Sequence, residues 1–496
     1  MCSPETIRSL HLPSPAPALV WFREDLRLAD NPALHAAAAT GKPLVLLFIL
    51  DEETASLRRA GGASKWWLDK SLAALAADIK ALGGQLTLRS GASGPALDKV
   101  LKETGADCVF WNRRYDKAER DVDAGIKADL TARGLTVASR GGRLLTEPWD
   151  IRTGAGGYYK VFTPYWRALR AAYVPPDPLP RPASLSGPKV KSDSLSEWGL
   201  HPTRPDWAGG LAEAWVPGEQ GAADRLAEFL DGPVSQYPDL RNRPDRESAT
   251  SRLSPHLRFG EIGPAQVWRA TRHGIDMGHL DESGAMTFLS EIAWREFSYV
   301  LLYHNPDLAD ENYNPAFRHM PWRSDRDAYD AWSEGRTGYP IVDAGMRQLW
   351  HTGFMHNRVR MIVASFLTKH LLLPWQMGEA WFWDTLVDAD PASNPASWQW
   401  TAGSGADAAP YFRIFNPITQ GRKFDASGDY VRRWCPELED LPDKYLHAPW
   451  EADAATLKVA GVALGDTYPH PIIEHALARL RALDAYDTLK QRRSAA

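Results

Sequence analysis

Thr250-Ser251-Arg252-Leu253-Ser254-Pro255 places three hydroxyls, a guanidinium and several backbone N–H groups in six residues. Such a loop can hold a diphosphate or another anion. The same residue types also make an N-cap with a turn. Glu291, Trp294 and Arg295 stand at i, i+3 and i+4, on one helix face. There a carboxylate can accept from an imide N–H while an indole stacks, which suits a nucleobase-like ring. A surface Glu–Arg pair beside a half-buried tryptophan has the same pattern. Asn357, Arg360 and Met361 repeat the spacing, with Arg358 directed elsewhere. The stretch 338–370 carries Arg347, Arg358, Arg360 and Lys369 against Asp343, four minus one, a local +3 in a chain of net charge −5. That is a phosphate-facing patch or a solvated amphipathic helix. Asp388 and Asp390 put two carboxylates in a turn ahead of Asn394. Capping explains them, and so would an oxygen-ligated metal, but no further acid stands close in sequence and no metal is expected.

These residues need a scaffold. In the first 150 positions, strand candidates Ala18–Phe22, Leu44–Leu50, Gln85–Arg89, Cys108–Asn112 and Leu135–Ser139 alternate with helical patterns such as Trp66–Leu82. The series predicts an α/β domain at 16–150 with a Rossmann-like, doubly wound parallel sheet, whose ligands sit beyond the carboxyl ends of the strands. A long connector follows at 151–219, and its Pro-rich part is a poor candidate for regular structure. From 220 to 496 helical patterns dominate: Ala222–Leu230, Pro264–Thr271, Phe288–His304, Ile341–His351 and Val359–Leu371. The fold class is therefore α/β followed by an all-α domain.

Composition excludes several functions. The longest apolar run, Leu44–Leu50, is far too short to cross a bilayer. No secretory leader is visible at Met1–Leu12. Cys2, Cys108 and Cys435 form no CxxC pair, which argues against a disulfide framework or a Cys-ligated cluster and points to a reducing cytosol. There is no GxxxxGK[ST], HExxH or GxSxG motif. The outlier is tryptophan: nine of the 21 fall between 294 and 400. Core packing rarely needs so many indoles, so ring electronics or stacking is implied beside a Trp-rich core.

Taken together, the segments resemble the photolyase/cryptochrome family. Trp21-Phe22-Arg23-Glu24-Asp25-Leu26-Arg27 with Asp30-Asn31 is similar to its N-terminal signature. Thr250–Ser254, Glu291–Glu296, Thr337–Leu349, His356–Met361, Trp398-Gln399-Trp400 and Pro410–Pro417 resemble its flavin-domain signatures, in order. The resemblance spans about 18–475 and implies a helical FAD domain. It places Tyr237, Thr250, Ser251, Arg252, Leu253, Ser254, Phe288, Glu291, Arg295, Phe354, Asn357, Arg360, Asp388, Asp390 and Asn394 at flavin-pocket positions. Phe288 and Phe354 stand where the family often has tryptophan. Trp294, Arg358, Met361, Trp400 and Arg413 fall at lesion or DNA positions. Trp398, Trp375 and Trp322 match the chain that carries electrons to the flavin. The implied roles are Arg360 with Asp388 stabilising charge on reduced flavin, Asn394 facing flavin N5, and Glu291 holding the damaged base edge.

Within the family, Asn394 where plant-type cryptochromes carry aspartate, and a resemblance that runs to about residue 475 of 496, favour repair over signalling. His356-Asn357 departs from the histidine pair of (6-4) photoproduct enzymes, and the iron–sulfur branch needs four cysteines. Ser64–Leu68, Pro340–Met346 and Asp388–Asn394 look most like class III cyclobutane pyrimidine dimer (CPD) photolyases. That implies UV-damaged DNA as partner, FADH⁻ as cofactor, and a methenyltetrahydrofolate (MTHF) antenna near Asp51, Glu52, Lys65 and Trp66. A cytoplasmic monomer is expected. The alternatives are a blue-light photoreceptor without repair activity, a (6-4) repair enzyme, or a flavin electron carrier that ignores DNA.

Overall fold

The computed structural model describes residues 16–408 and 413–495. Five parallel strands, β1 (Ala18–Phe22), β2 (Leu44–Leu50), β3 (Leu86–Ser90), β4 (Cys108–Asn112) and β5 (Thr136–Arg140), form one sheet in the order β3-β2-β1-β4-β5. Alternation along each strand divides the apolar side chains between two cores. Leu19, Trp21, Val45, Leu47, Val109 and Trp111 enter one. Ala18, Val20, Phe22, Leu46, Phe48 and Phe110 enter the other. Helix Pro32–Ala38 starts where Asn31 accepts the Leu34 N–H at 3.1 Å, and helix Lys117–Ala132 starts at Asp116.

The topological switch point lies between β1 and β4, where doubly wound sheets usually take their ligand. Here the chain fills it with its own charges. Arg23 reaches both oxygens of Asp123 at 3.0 and 3.1 Å, Arg114 reaches the same carboxylate at 2.7 Å, and Asn112 donates to Asp25 at 2.6 Å. Much of the Trp21–Asn31 signature is thus structural.

The connector 151–219 has regular structure on either side of its Pro-rich part, which itself holds the short turn Leu195–Trp198. The connector contains helices Phe162–Ala172 and Gly209–Ala214. Phe162, Tyr165 and Leu169 recur at i, i+3 and i+7, and all are buried. Pro164 lies in the first turn of this helix, where the missing N–H costs no intrahelical hydrogen bond. Helix Val359–Leu371 is corrected. An α-helix runs over Asn357–Ser365 and widens to a π turn over Phe366–His370, where the Leu371 N–H reaches back to Phe366 O. A 3.6-residue period cannot reveal one extra residue in a turn.

The remaining elements are helical. Helix Glu282–His304 is started by Asp281, whose carboxylate accepts the Gly284 N–H at 2.8 Å. Helices Pro340–Thr352, Trp375–Thr385 and Ser393–Ala402 pack around a core that includes Trp332, Trp375 and Trp398. Buried polar contacts join this part to the sheet. Trp67 Nε1 donates to Glu261 at 3.0 Å, the Leu145 N–H donates to Glu296 at 2.6 Å, and Arg143 and Arg258 both pair with Glu24. Among the described residues, no helix is long and apolar enough to cross a membrane.

Candidate functional site

Asp388 is the hub of the site. Its Oδ2 accepts from Ser254 Oγ at 2.7 Å and from Arg360 Nη2 at 2.9 Å. The turn before helix Ser393–Ala402 is thereby tied to the 250–254 loop and to helix Asn357–Ser365. Arg252 reaches φ +51 in that loop, and its guanidinium lies 4.2 Å from the Trp215 ring and 5.6 Å from Phe354. Arg360 also donates to Met355 O at 2.7 Å and covers Phe354.

Asp388 Oδ1 and Arg252 Nε are buried in this region with no protein partner. Such atoms are costly unless a ligand or water meets them. An anionic, hydrogen-bond-rich cofactor fits this donor set, with guanidinium groups for phosphate and a carboxylate oxygen for a ring or ribose N–H or O–H.

Asn394 is the second residue of helix Ser393–Ala402. Its Nδ2 donates to Glu379 Oε1 at 2.9 Å and to Glu379 O at 3.1 Å. Asp390, expected in the same pocket, faces the junction with the sheet domain. Its Oδ1 accepts the Ala392 and Ser393 N–H groups, which is the capping role, and its Oδ2 accepts from Tyr299 Oη at 2.7 Å. Burial pushes this carboxyl up, but the cations of Arg143, Arg295 and Arg258 outweigh it and hold the group below its ordinary value. Arg295 turns the same way, donating to Arg143 O and Glu296.

The second cluster lies along helix Glu282–His304. Glu291 pairs with Arg241, and Arg241 also lies over the ring of Tyr237. Tyr237 meets Phe288 edge-on at 5.9 Å, and both are buried in one core. Trp294 is half-buried, stacks on Phe162 at 3.7 Å and 10°, and meets Phe297 edge-on at 5.8 Å. Arg358 donates to Asn242 at 2.7 Å. Asn357 and Arg413 are exposed, while Met361 and Trp400 are half-buried. Of the Pro410–Pro417 signature, positions 410–412 lie outside the described residues.

The tryptophans differ in depth. Trp398 and Trp375 are buried, and Trp322 is half-buried against Phe317, Met320 and Leu372. Trp375 Nε1 donates to Asn312 at 2.9 Å.

A family model described as the FAD-binding domain of DNA photolyase matches residues 288–488, and one described as DNA photolyase matches 18–183. A deoxyribodipyrimidine photo-lyase of Agrobacterium fabrum is 54% identical over 478 residues, covering 96% of this chain and 98% of that protein. The chain belongs to the photolyase/cryptochrome family. A solved class III photolyase from Agrobacterium tumefaciens superposes with a TM-score of 0.93, at 54% identity, over 96% of this chain and 98% of that one. Cryptochrome-1 of Arabidopsis thaliana is 40% identical, over 93% of this chain and 69% of that protein.

Within this photolyase fold, sequence reasoning missed Glu379, Arg241, Asn242, Phe162 and Trp215, each of which holds an expected site residue. Most stand far from their partners in sequence, so local spacing carried no signal for them. Of the expected antenna residues, Asp51 accepts from the N–H and hydroxyl of both Thr54 and Ser93, and Lys65 pairs with Glu52 at 2.5 Å. Trp66 is buried.

His356 is 3% exposed, and its Nδ1 accepts the Arg358 N–H at 3.2 Å to start helix Asn357–Ser365. Burial, then the cations of Arg358 and Arg360, pushes its pKa down to about 4. The unfolded chain takes a proton near the ordinary value of 6.5, while the folded chain waits until about 4. Stability from this group is complete above pH 6.5 and is lost as pH falls toward 4, at up to ~1.4 kcal/mol per pH unit. His356→Asn keeps a capping acceptor and will flatten that slope in urea melts run across the window. An unchanged slope would assign the acid sensitivity to other groups.

Proposed function

We propose that this chain is a light-driven CPD photolyase that acts on UV-damaged DNA in the cytoplasm, working as a monomer with reduced FAD. The observation that carries the reading is the Ser254–Asp388–Arg360 hub, with its unpartnered Asp388 oxygen, inside a chain that matches a class III photolyase over 96% of its length. When bound, the reduced flavin supplies the electron that, after light absorption, opens the two cyclobutane C–C bonds and is taken back, with no net redox change.

The protein's part is binding and orientation. Arg360, paired with Asp388, sets positive charge where a reduced isoalloxazine carries negative charge. The Thr250–Ser254 loop, with its Arg252 guanidinium, holds the cofactor's anionic part. Arg241 takes Oε1 of Glu291, so the other carboxylate oxygen is the acceptor for a base N–H. Trp294, backed by Phe162, and Trp400 wall a dinucleotide turned out of the duplex, because a base inside the stack is out of reach. Met361 adds an apolar contact to the lesion, and Arg358 and Arg413 serve the DNA backbone.

The test is loss of thymine dimers from a UV-irradiated oligonucleotide by the flavin-reduced protein under blue light, against a dark control. No loss, with FAD bound, would favour the photoreceptor reading that the cryptochrome relatives keep open. Repair of (6-4) products instead would overturn the lesion assignment.

We also infer an MTHF antenna beside the segment 51–66. Helix Trp375–Thr385 packs against this part of the sheet domain, and it carries Trp381, which lies parallel to the 63%-exposed Trp350 at 5.9 Å. An indole that exposed suits stacking by a flat pteridine. Trp350→Ala will lower the folate that co-purifies, read from the near-UV band of the extracted chromophore, while FAD content stays level. Equal folate in both proteins would place the antenna elsewhere.

A further inference from the structure

We propose that Arg58, carried by the sheet domain, is a positioning residue for the flavin-edge amide of Asn394 and acts through Glu379; the proposal rests on the reading that Asn394 faces flavin N5. Arg58 Nη1 and Nη2 donate to Glu379 Oε1 and Oε2, each at 2.8 Å. This two-pronged geometry fixes the carboxylate plane as well as its charge. The Glu379 side chain is only 4% exposed, and no second cation pairs with it among the described residues. Its Oε1 and its backbone oxygen both accept from Asn394 Nδ2.

A carboxylate accepts and does not donate. With both oxygens accepting from Arg58, Glu379 meets the N–H side of the Asn394 amide, so the carbonyl Oδ1 must face the other way. An acceptor at that edge favours a flavin that carries a proton on N5, as FADH⁻ does.

The arginine is itself held in place. Its guanidinium lies 3.9 Å from the Trp383 ring, Trp383 Nε1 donates to Arg59 O at 2.9 Å, and a Cβ at Gly61 would collide with the Trp383–Asp384 backbone. The 58–62 segment is therefore seated on helix Trp375–Thr385, and the sheet domain contributes directly to the order of the flavin edge.

The reduction concerned takes two electrons from a chemical reductant and one proton from water to convert FAD into FADH⁻. In flavin-loaded Arg58→Gln, titrated with dithionite against a reference dye, the reduced-to-oxidised ratio at fixed potential will fall about tenfold, ~30 mV for a two-electron couple. Glu379→Gln will do the same, and the double variant will be no worse than Glu379→Gln alone, because both act through one chain of contacts. Arg58→Lys restores charge without the fork and will recover only part of the shift. Asp384→Ala removes a neighbouring tie, the Gly62 N–H to Asp384 bond of 2.8 Å, and will leave the ratio unchanged.

If Arg58→Gln or Arg58→Lys melts earlier but keeps the wild-type ratio, the arginine is a structural staple and the proposal fails. Additive shifts in the double variant would also overturn it. Wild-type protein that retains no FAD would instead bring down the flavin reading beneath it.

Discussion

Asp388→Ala is expected to emerge from purification without yellow colour, its affinity for FAD down by about two orders of magnitude. The carboxylate side chain is 4% exposed and the Arg360 side chain 24%. In the free protein water still reaches part of the guanidinium, so some of the pair's loss is screened. A bound flavin removes that water, and the full cost of an unpaired buried cation then falls on the complex. Breaking a buried pair by removing one partner costs ~3–5 kcal/mol, and ~3 kcal/mol already corresponds to about 100-fold in affinity. The variant also leaves Ser254 Oγ without its acceptor and deletes the unpartnered Oδ1 that a cofactor would meet. Ser254→Ala removes one hydrogen bond, worth ~1 kcal/mol, and will cost about fivefold. Asp388→Asn, which keeps an acceptor but no charge, will fall between them. FAD titration of the apoprotein, followed by quenching of flavin fluorescence, measures all three. Asp388→Ala that binds FAD as the parent does would remove Asp388 from the cofactor site.

The parts of the fold legible in the sequence were those with local signals. Ala18–Phe22, Leu44–Leu50 and Cys108–Asn112 are continuous apolar runs and appear as strands with those limits. The other two strands, expected at 85–89 and 135–139, each lie one residue later. Their ends contain polar residues, and the neighbouring strand rather than their own pattern sets where pairing stops. Helix Gly62–Ala81 begins four residues before the expected Trp66 because Gly61 at its start has no side chain to announce a cap.

The site was legible in its residue types and opaque in its pairings. Glu291, Trp294 and Arg295 do share a helix, yet Glu291 turns to Arg241 and Arg295 to Glu296 and the sheet domain. The i, i+4 rule says which residues can meet, and a stronger partner from another element decides which do. Asp388 and Asp390, two residues apart, serve different regions because a turn sends their side chains opposite ways. Arg58 and Glu379 are 321 positions apart, and no spacing rule reaches that far.

Trp398→Phe is expected to abolish light-driven reduction of the flavin while leaving repair by chemically reduced protein intact. An indole gives up an electron far more readily than a benzene ring, so phenylalanine preserves most of the packing and removes the donor. The site is built for the larger ring. A Cβ at Gly378 would stand inside the Trp398 indole, and Phe382 and Trp332 meet it edge-on at 5.0 and 6.2 Å. The Trp398 N–H is buried without a partner, so an oxidised indole here has no built-in base to take its proton. Its charge must be filled quickly by an electron from another ring, and Trp375, buried in the same core, and then Trp322, half-open to solvent, provide that descent in burial. The smaller ring leaves a void, and ~1–3 kcal/mol of stability will be lost with it. Repair must therefore be assayed well below the melting temperature. Gly378→Ala gives a second check, since it displaces the indole without removing it and will slow photoreduction in proportion to that displacement. Illumination of oxidised protein with an external thiol donor, followed by absorbance, reads the first effect. Dimer splitting after dithionite reduction reads the second. If Trp398→Phe photoreduces at the parental rate, the electron enters by another route; if reduced Trp398→Phe no longer splits dimers, Trp398 belongs to the lesion chemistry rather than to the supply line.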